Sequence, residues 1–101
     1  MSKCRVLIVD DIAENIAQMV NMLSNLDIEI KKAYGGKEAI QLVETFRPNI
    51  ILLDLMMPEV NGWDVIEHVR ARYDKNEMII IITSLLNNKD NIDDCYEMGV
   101  N

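Results

Sequence analysis

The sequence contains few of the residues that build disulfide-rich, metal-rich or aromatic-rich proteins. Its 101 residues include two cysteines, two prolines, four glycines and one histidine. Cys4 and Cys95 form no CxxC pair and have no His or Cys at metal-ligand spacing, which argues against a zinc site or a redox dithiol. We therefore expect two reduced, buried thiols. Aromatic residues supply 5% of the chain, so the core must be mostly aliphatic.

Positive charge and long apolar runs are also scarce. Ten basic residues face 17 acidic ones, and the formal charge of −7 argues against direct binding of nucleic acid or an anionic membrane. The run MIIII at 78–82 is far too short to cross a bilayer, and the first residues lack the layout of a signal peptide. We expect a cytoplasmic protein forming one domain over residues 1–101, able to bind cations or basic partner surfaces.

Short apolar segments alternate with helical periodicity along the whole chain. The segments 4–9, 27–33, 49–54 and 78–83 read as strands, and apolar stripes predict helices over Ile12–Leu26, Ala39–Phe46, Val65–Tyr73 and from Asn87 or Asn88 to Gly99. This βαβαβαβα order predicts an α/β fold with a parallel sheet covered by helices on both faces. The second strand alternates apolar and polar residues, so we expect it at an edge.

Polar side chains follow the apolar strands where each strand ends. Asp10 and Asp11 end the first strand, Asp54 ends the third, and Thr83 and Ser84 end the fourth. Because the carboxyl ends of parallel strands share one rim, we expect these groups to meet there. Clustered carboxylates suit a hard divalent cation, Mg²⁺ above all. For Asp11 alone, capping of the helix that starts at Ile12 is an equal alternative.

A metal held by carboxylates at a sheet rim usually serves a phosphoryl group. No glycine-rich cradle follows the first strand, which excludes a P-loop or dinucleotide site. Asp54 is then the candidate nucleophile, forming an acyl phosphate with Thr83 as a hydrogen-bond donor. A phosphatase of the haloacid dehalogenase type would also use a strand-end Asp, but it needs a second Asp where this chain has Met56.

Three stretches closely resemble the receiver domain of two-component response regulators: VLIVDD, ILLDLMMPEVNGWDVIEHVR and IIIITS. The family pattern D-x-x-M-P-x-x-x-G is met by Asp54, Met57, Pro58 and Gly62. The resemblance covers essentially the whole chain and implies a flavodoxin-like, doubly wound sheet of order 2-1-3-4-5. It also implies that a sensor histidine kinase or a histidine phosphotransfer protein phosphorylates Asp54. The chain would thus catalyse its own phosphorylation and dephosphorylation without being an enzyme for other substrates.

The resemblance also implies roles for single residues. Mg²⁺ would be held by Asp10, Asp11, Asp54 and the backbone carbonyl of Met56, and Thr83 would be the switch hydroxyl. Ser84, Met57, Pro58 and Gly62 would support the site, Gly62 by giving the backbone freedom before the third helix. Leu85 and Met56 lie where the family tunes the access of hydrolytic water. Asn15 resembles an asparagine in receivers linked to hybrid kinases or cyclases, whereas His68 reads as a surface residue.

The family pattern continues beyond this sequence with a fifth strand, its lysine and a fifth helix. Without them we expect the order 2-1-3-4 and an open edge at the fourth strand, as in a C-terminally truncated receiver or a fragment of a longer protein. Exposed apolar edges favour pairing with another chain, which predicts marginal stability and self-association. An alternative function is accordingly a phosphorylation-incompetent receiver that acts as a dimerisation or docking module.

Overall fold

Four strands alternate with three helices in the computed structural model, which describes residues 3–55, 62–84 and 101. The elements are β1 (Cys4–Val9), α1 (Ala13–Met22), β2 (Ile28–Ala33), α2 (Gly36–Thr45), β3 (Ile50–Asp54), α3 (Gly62–Arg70) and β4 (Ile79–Ser84). The strands match the predicted segments to within one residue at either end. The predicted fourth helix and Cys95 lie outside the described residues.

The sheet has the order β2-β1-β3-β4, and each neighbouring pair is parallel. Both the predicted order and the predicted edge position of β2 are confirmed. In β1, Val9 pairs with Ala33 on one side and with Leu53 on the other. The connection from β2 to β3 passes over β1. The chain segments that follow β1 and β3 therefore leave the sheet in opposite directions, and a crevice lies between them at the carboxyl ends of these two strands. Such a crevice is the usual ligand site of an open parallel sheet.

Each face of the sheet carries its own apolar cluster, because successive strand residues point to opposite faces. Val6 and Ile8 of β1 pack with Ile16 of α1 on one face. Leu7 and Val9 belong to the larger cluster on the other face, which includes residues of α2 and α3. These four side chains of β1 are all buried, and each contributes about 1.5–3 kcal/mol of stability relative to an exposed position. Because both faces of β1 are covered, the strand fixes the backbone position of Asp10, the residue that directly follows it.

Helix α1 is shorter than the predicted stripe. It runs from Ala13 to Met22, and the two ends of the stripe lie outside it. Ile12 is 51% exposed and Leu26 is 58% exposed, so neither side chain belongs to the core. Leu26 lies in a turn in which its N–H donates to the carbonyl of Leu23 at 3.0 Å. The apolar spacing continued past the point where the helix ends, which sequence periodicity does not detect.

A further expectation about a single side chain is wrong. Cys4 is exposed because it opens β1 at the rim of the sheet, before the strand becomes covered on both faces. His68 lies at the surface as predicted, with its side chain 20% exposed, and its Nε2 lies 2.9 Å from Oε1 of Glu44 on α2. Arg72 reaches the same carboxylate oxygen at 3.3 Å. The histidine therefore helps to join α3 to α2.

Asn101 and Arg70 fix the start of β4. The Asn101 N–H donates to the Ile80 carbonyl at 3.0 Å, and the Ile80 N–H donates to Oδ1 of Asn101 at 2.9 Å. Arg70 also donates to Oδ1 of Asn101 at 2.8 Å and to the Met78 carbonyl at 2.7 Å. Burial lowers the pKa of the Arg70 guanidinium below its usual value. The outer edge of β4 is therefore occupied at Ile80, while Ile81 stays 43% exposed.

Candidate metal and phosphoacceptor site

Three carboxylates meet at the carboxyl end of the sheet. Asp10 directly follows β1, Asp54 is the last residue of β3, and Asp11 is the next residue after Asp10. One carboxylate oxygen from each of the three lies within 4.8 Å of the other two. Asp10 and Asp54 are buried, with 3% and 5% of their surface exposed, whereas Asp11 is exposed. The predicted convergence of the three acids is therefore present in the fold.

The environment of Asp10 disfavours its charged form. Burial raises the pKa of Asp10, and the neighbouring carboxylates of Asp54 and Asp11 raise it further. Hydrogen bonds from Ile12 and Asn15 act in the opposite direction but do not cancel the effect of burial. A cation among the three carboxylates would remove this electrostatic cost, which is why the cluster suits a metal ion. Its donors are hard oxygens, the ligands preferred by Mg²⁺ and Ca²⁺.

The beginning of α1 is tied to Asp10 and not to Asp11. The Ile12 N–H donates to Oδ1 of Asp10 at 2.9 Å, and the Asn15 side-chain amide donates to Oδ2 at 3.2 Å. The helix starts after Ile12 without a capping side chain at that position. The alternative that Asp11 caps the helix is therefore wrong, and the Asp11 carboxylate makes no hydrogen bond within the described part of the chain. The role of Asn15 was missed because its partner is recognisable only once β1 and α1 are placed.

A change of register brings Thr83 next to Asp54 along the backbone. Leu53 pairs with Ile82, but Asp54 pairs with Ser84, so Thr83 is an extra residue in β4. Such bulges are enriched beside active sites, where they redirect a side chain. Thr83 is exposed, in agreement with a group that meets a ligand from solvent. The role of the Thr83 hydroxyl stays a prediction.

Gly62 supports the site in a different way from the one predicted. A Cβ atom on Gly62 would lie 2.6 Å from the Asp54 carbonyl oxygen and 2.6 Å from the Leu55 Cα. The Gly62 N–H also donates to the Leu55 carbonyl at 3.3 Å. Its φ is not in the left-handed region, so close approach and not backbone freedom explains the glycine. The start of α3 thereby packs directly on the backbone that carries Asp54.

Most of the remaining predicted site residues lie outside the part of the chain that the structure describes. Met56, Met57, Pro58 and Leu85 lie outside the described residues, and the backbone of Ser84 pairs with Asp54. The roles predicted for them, including the Met56 carbonyl as a metal ligand, stay predictions. The described acids alone already offer at least three ligands to a cation.

The chain is similar in sequence and structure to known receivers. The family model of the response regulator receiver domain matches residues 6–101. The chain is 38% identical over 96 residues to the DNA-binding transcriptional activator EvgA of Escherichia coli K12. The aligned region covers 94% of this chain and 46% of EvgA. It is 31% identical over 99 residues to a probable cyclic di-GMP phosphodiesterase of Vibrio cholerae, which covers 98% of this chain and 22% of that protein.

A solved structure gives the same fold. A chain of the CheX–CheY–BeF3–Mg complex of Borrelia burgdorferi matches with a TM-score of 0.86 at 27% identity, over 95% of this chain and 72% of that one. The chain therefore belongs to the response regulator receiver domain family, as the resemblance predicted. It spans less than half of the two curated relatives named above. No helix among the described residues is long and apolar enough to cross a membrane.

Proposed function

We propose that this chain is a phosphorylation-controlled switch in which Asp54 accepts a phosphoryl group. The donor would be a phosphohistidine on a sensor kinase or on a phosphotransfer protein. The observation that carries the proposal is the placement of buried Asp54 within 4.8 Å of ligand oxygens from Asp10 and Asp11. The CheX–CheY complex with BeF3 and Mg supports it by likeness of fold.

The proposed step is a displacement at phosphorus. An oxygen of the Asp54 carboxylate attacks, a carboxylate–phosphorus bond forms, and the bond from phosphorus to the donor's imidazole nitrogen breaks. The departing nitrogen takes up a proton, so the step leaves an acyl phosphate and a neutral histidine. Bound Mg²⁺ would supply neutralisation of the oxygens that gather charge. Asp10, Asp11, Asp54 and the Met56 carbonyl would hold it.

Thr83 would convert the modification into a change of surface. Its hydroxyl would donate to a phosphoryl oxygen on Asp54, which supplies the differential contact that any two-state switch requires. The bulge between Leu53–Asp54 and β4 supports this role because Thr83 has no partner of its own in the ladder. The chain would modify only itself, with Met56 and Leu85 limiting hydrolysis of the acyl phosphate.

The same proposal implies a cellular compartment for the protein. Exchange with a kinase phosphohistidine requires a shared compartment, and we place it in the cytoplasm. The formal charge of −7 disfavours direct contact with nucleic acid through these residues. Such contacts would belong to a further domain or to a partner.

Intact mass spectrometry tests the proposal directly. The protein is incubated with Mg²⁺ and acetyl phosphate beside Asp54→Asn and Asp27→Asn, the second being an exposed aspartate paired with Lys3. We expect the wild type and Asp27→Asn to gain the mass of one phosphoryl group, and Asp54→Asn to gain none. Equal labelling of all three proteins would show that another residue is modified, and absence of labelling in folded wild type would contradict the proposal.

Self-association through β4 is a second candidate function. It is favoured by the position of β4 at the end of the described sheet, where the Ile81 side chain is 43% exposed on the face that carries α1. Asn101 already occupies the edge at Ile80, so pairing would have to begin beyond that residue. A docking module of this kind would work without phosphorylation of Asp54.

A further inference from the structure

The protein holds the Asp10 carboxylate through both of its oxygens. Oδ1 accepts the Ile12 N–H at 2.9 Å, and Oδ2 accepts the Asn15 side-chain amide at 3.2 Å. Asp10 is 3% exposed, so water cannot replace these donors freely. Since an ionised carboxylate can only accept hydrogen bonds, the NH₂ group of Asn15 must be the side that faces it.

The two donors come from the first turn of one helix. Ile12 directly precedes α1 and Asn15 is its third residue, so both bonds tie the Asp10 carboxylate to the helix and limit its rotation. Each oxygen keeps lone-pair capacity for a further partner. Asp10 is thus oriented before any ion arrives, whereas Asp11 is exposed and its carboxylate accepts no hydrogen bond from the described residues.

Mg²⁺ demands near-ideal octahedral geometry, while Ca²⁺ tolerates irregular and larger shells. A carboxylate that is held in the orientation required by an octahedral shell therefore favours the smaller ion, Mg²⁺. We propose that Asn15 is a positioning residue that holds Asp10 for Mg²⁺ and thereby gives the site its preference for Mg²⁺ over Ca²⁺. This inference rests on the proposed function of the acidic cluster as a metal site.

The test compares the affinities of the two ions in matched variants. Asn15→Ala removes the side-chain donor, and Asn21→Ala makes the same substitution at an exposed position of the same helix. Dissociation constants for Mg²⁺ and for Ca²⁺ are measured separately by isothermal titration calorimetry. Loss of a residue that orients a metal ligand typically weakens binding by roughly 10–100-fold. We expect a loss of at least about tenfold for Mg²⁺ in Asn15→Ala, with a much smaller change for Ca²⁺.

The ratio of the Mg²⁺ and Ca²⁺ dissociation constants distinguishes positioning of Asp10 from a loss of stability. A smaller folded fraction weakens the binding of both ions by the same factor and leaves the ratio unchanged. Asn15→Leu, which keeps comparable bulk without a donor, serves if the alanine variant does not fold. An unchanged ratio in a folded Asn15 variant overturns the inference, and so does an equal shift in Asn21→Ala. If the wild type binds no Mg²⁺ at all, the proposed metal site fails and this inference fails with it. Mg²⁺ binding by the wild type with an unchanged ratio in the variant rejects the role of Asn15 alone.

Discussion

Gly62 lies so close to Asp54 that a side chain between them would overlap the backbone. A Cβ on Gly62 would be 2.6 Å from the Asp54 carbonyl oxygen. Both neighbours at that distance are backbone atoms, which cannot swing away as a side-chain end can. We expect Gly62→Ala to lower the free energy of unfolding by about 1–3 kcal/mol, the usual cost of overpacking. Urea denaturation measures this change.

Gly35 provides the matched control. No atom lies within 4 Å of a Cβ built on Gly35, and its backbone is extended. Alanine there restricts the unfolded chain but is a poorer residue before a helix, so the two effects nearly cancel. Equal loss of stability in Gly35→Ala and Gly62→Ala would show that close approach is not the reason for Gly62.

Asp10 makes stability depend on pH in a definite direction. Burial raises its pKa in the folded protein above the ordinary value of 3.8. The folded state therefore binds this proton more tightly than the unfolded state. The resulting stabilisation is present below pH 3.8 and is lost as the pH rises through the folded pKa. With EDTA present, we expect Asp10→Asn to be more stable than the wild type at neutral pH.

The difference between wild type and variant is the quantity to measure. Urea midpoints recorded from pH 4 to about pH 7 should show the advantage of Asp10→Asn growing as the pH rises. Asp27→Asn, which removes an exposed carboxylate paired with Lys3, is measured beside it as the control. A difference for Asp10→Asn that does not change with pH would contradict the prediction.

Mg²⁺ should stabilise the folded chain through the acidic cluster. At a free concentration ten times its dissociation constant, a single bound ion adds about 1.4 kcal/mol to the free energy of unfolding. We expect this increase in the wild type and its loss in Asp54→Asn, as measured by thermal unfolding over a series of Mg²⁺ concentrations. An equal increase in both proteins would mean that the ion binds elsewhere.

Asn101 should stabilise the start of β4 through its side chain. Its Oδ1 accepts bonds from the Ile80 N–H and from Arg70. Asn101→Ala leaves these donors without that acceptor, at a cost of about 1–3 kcal/mol. Hydrogen exchange at the Ile80 amide should accelerate, whereas Asn76→Ala in an exposed turn should leave it unchanged. Unaltered exchange at Ile80 in the Asn101 variant would refute this role.

Ile81 should control self-association if β4 pairs between chains. Sedimentation velocity over a range of concentrations should show the wild type forming larger species, and Ile81→Lys should remain monomeric. Met22→Lys is the control, since Met22 is 78% exposed on α1. A wild type that stays monomeric at all concentrations would rule out the docking function.

The strand ends made the acidic site predictable. Asp10 and Asp54 each follow an apolar run, and parallel strands bring such ends together whatever the details of packing. The fold was predictable for the same reason, because continuous apolar strands alternating with amphipathic helices allow few arrangements. The resemblance to receivers then supplied the strand order that periodicity alone leaves open.

Features that depend on contacts between elements were not predictable. Asn15 gains its role only because Asp10 lies beside the first turn of α1. His68 looked isolated because its partner Glu44 lies 24 residues away on another helix. Cys4 was misjudged because an apolar run does not reveal where a strand emerges from the cover of its neighbours.

Thr83 is an extra residue in β4, so its contribution to strand pairing can be separated from its proposed role in phosphorylation. With Leu53 opposite Ile82 and Asp54 opposite Ser84, deleting Thr83 would join two residues that already match adjacent residues of β3. The shortened strand would form an uninterrupted ladder, so the pairing of β4 with β3 does not require this residue. A library of single-residue deletions scored for folding and for phosphorylation should then rank Thr83 oppositely on the two scales.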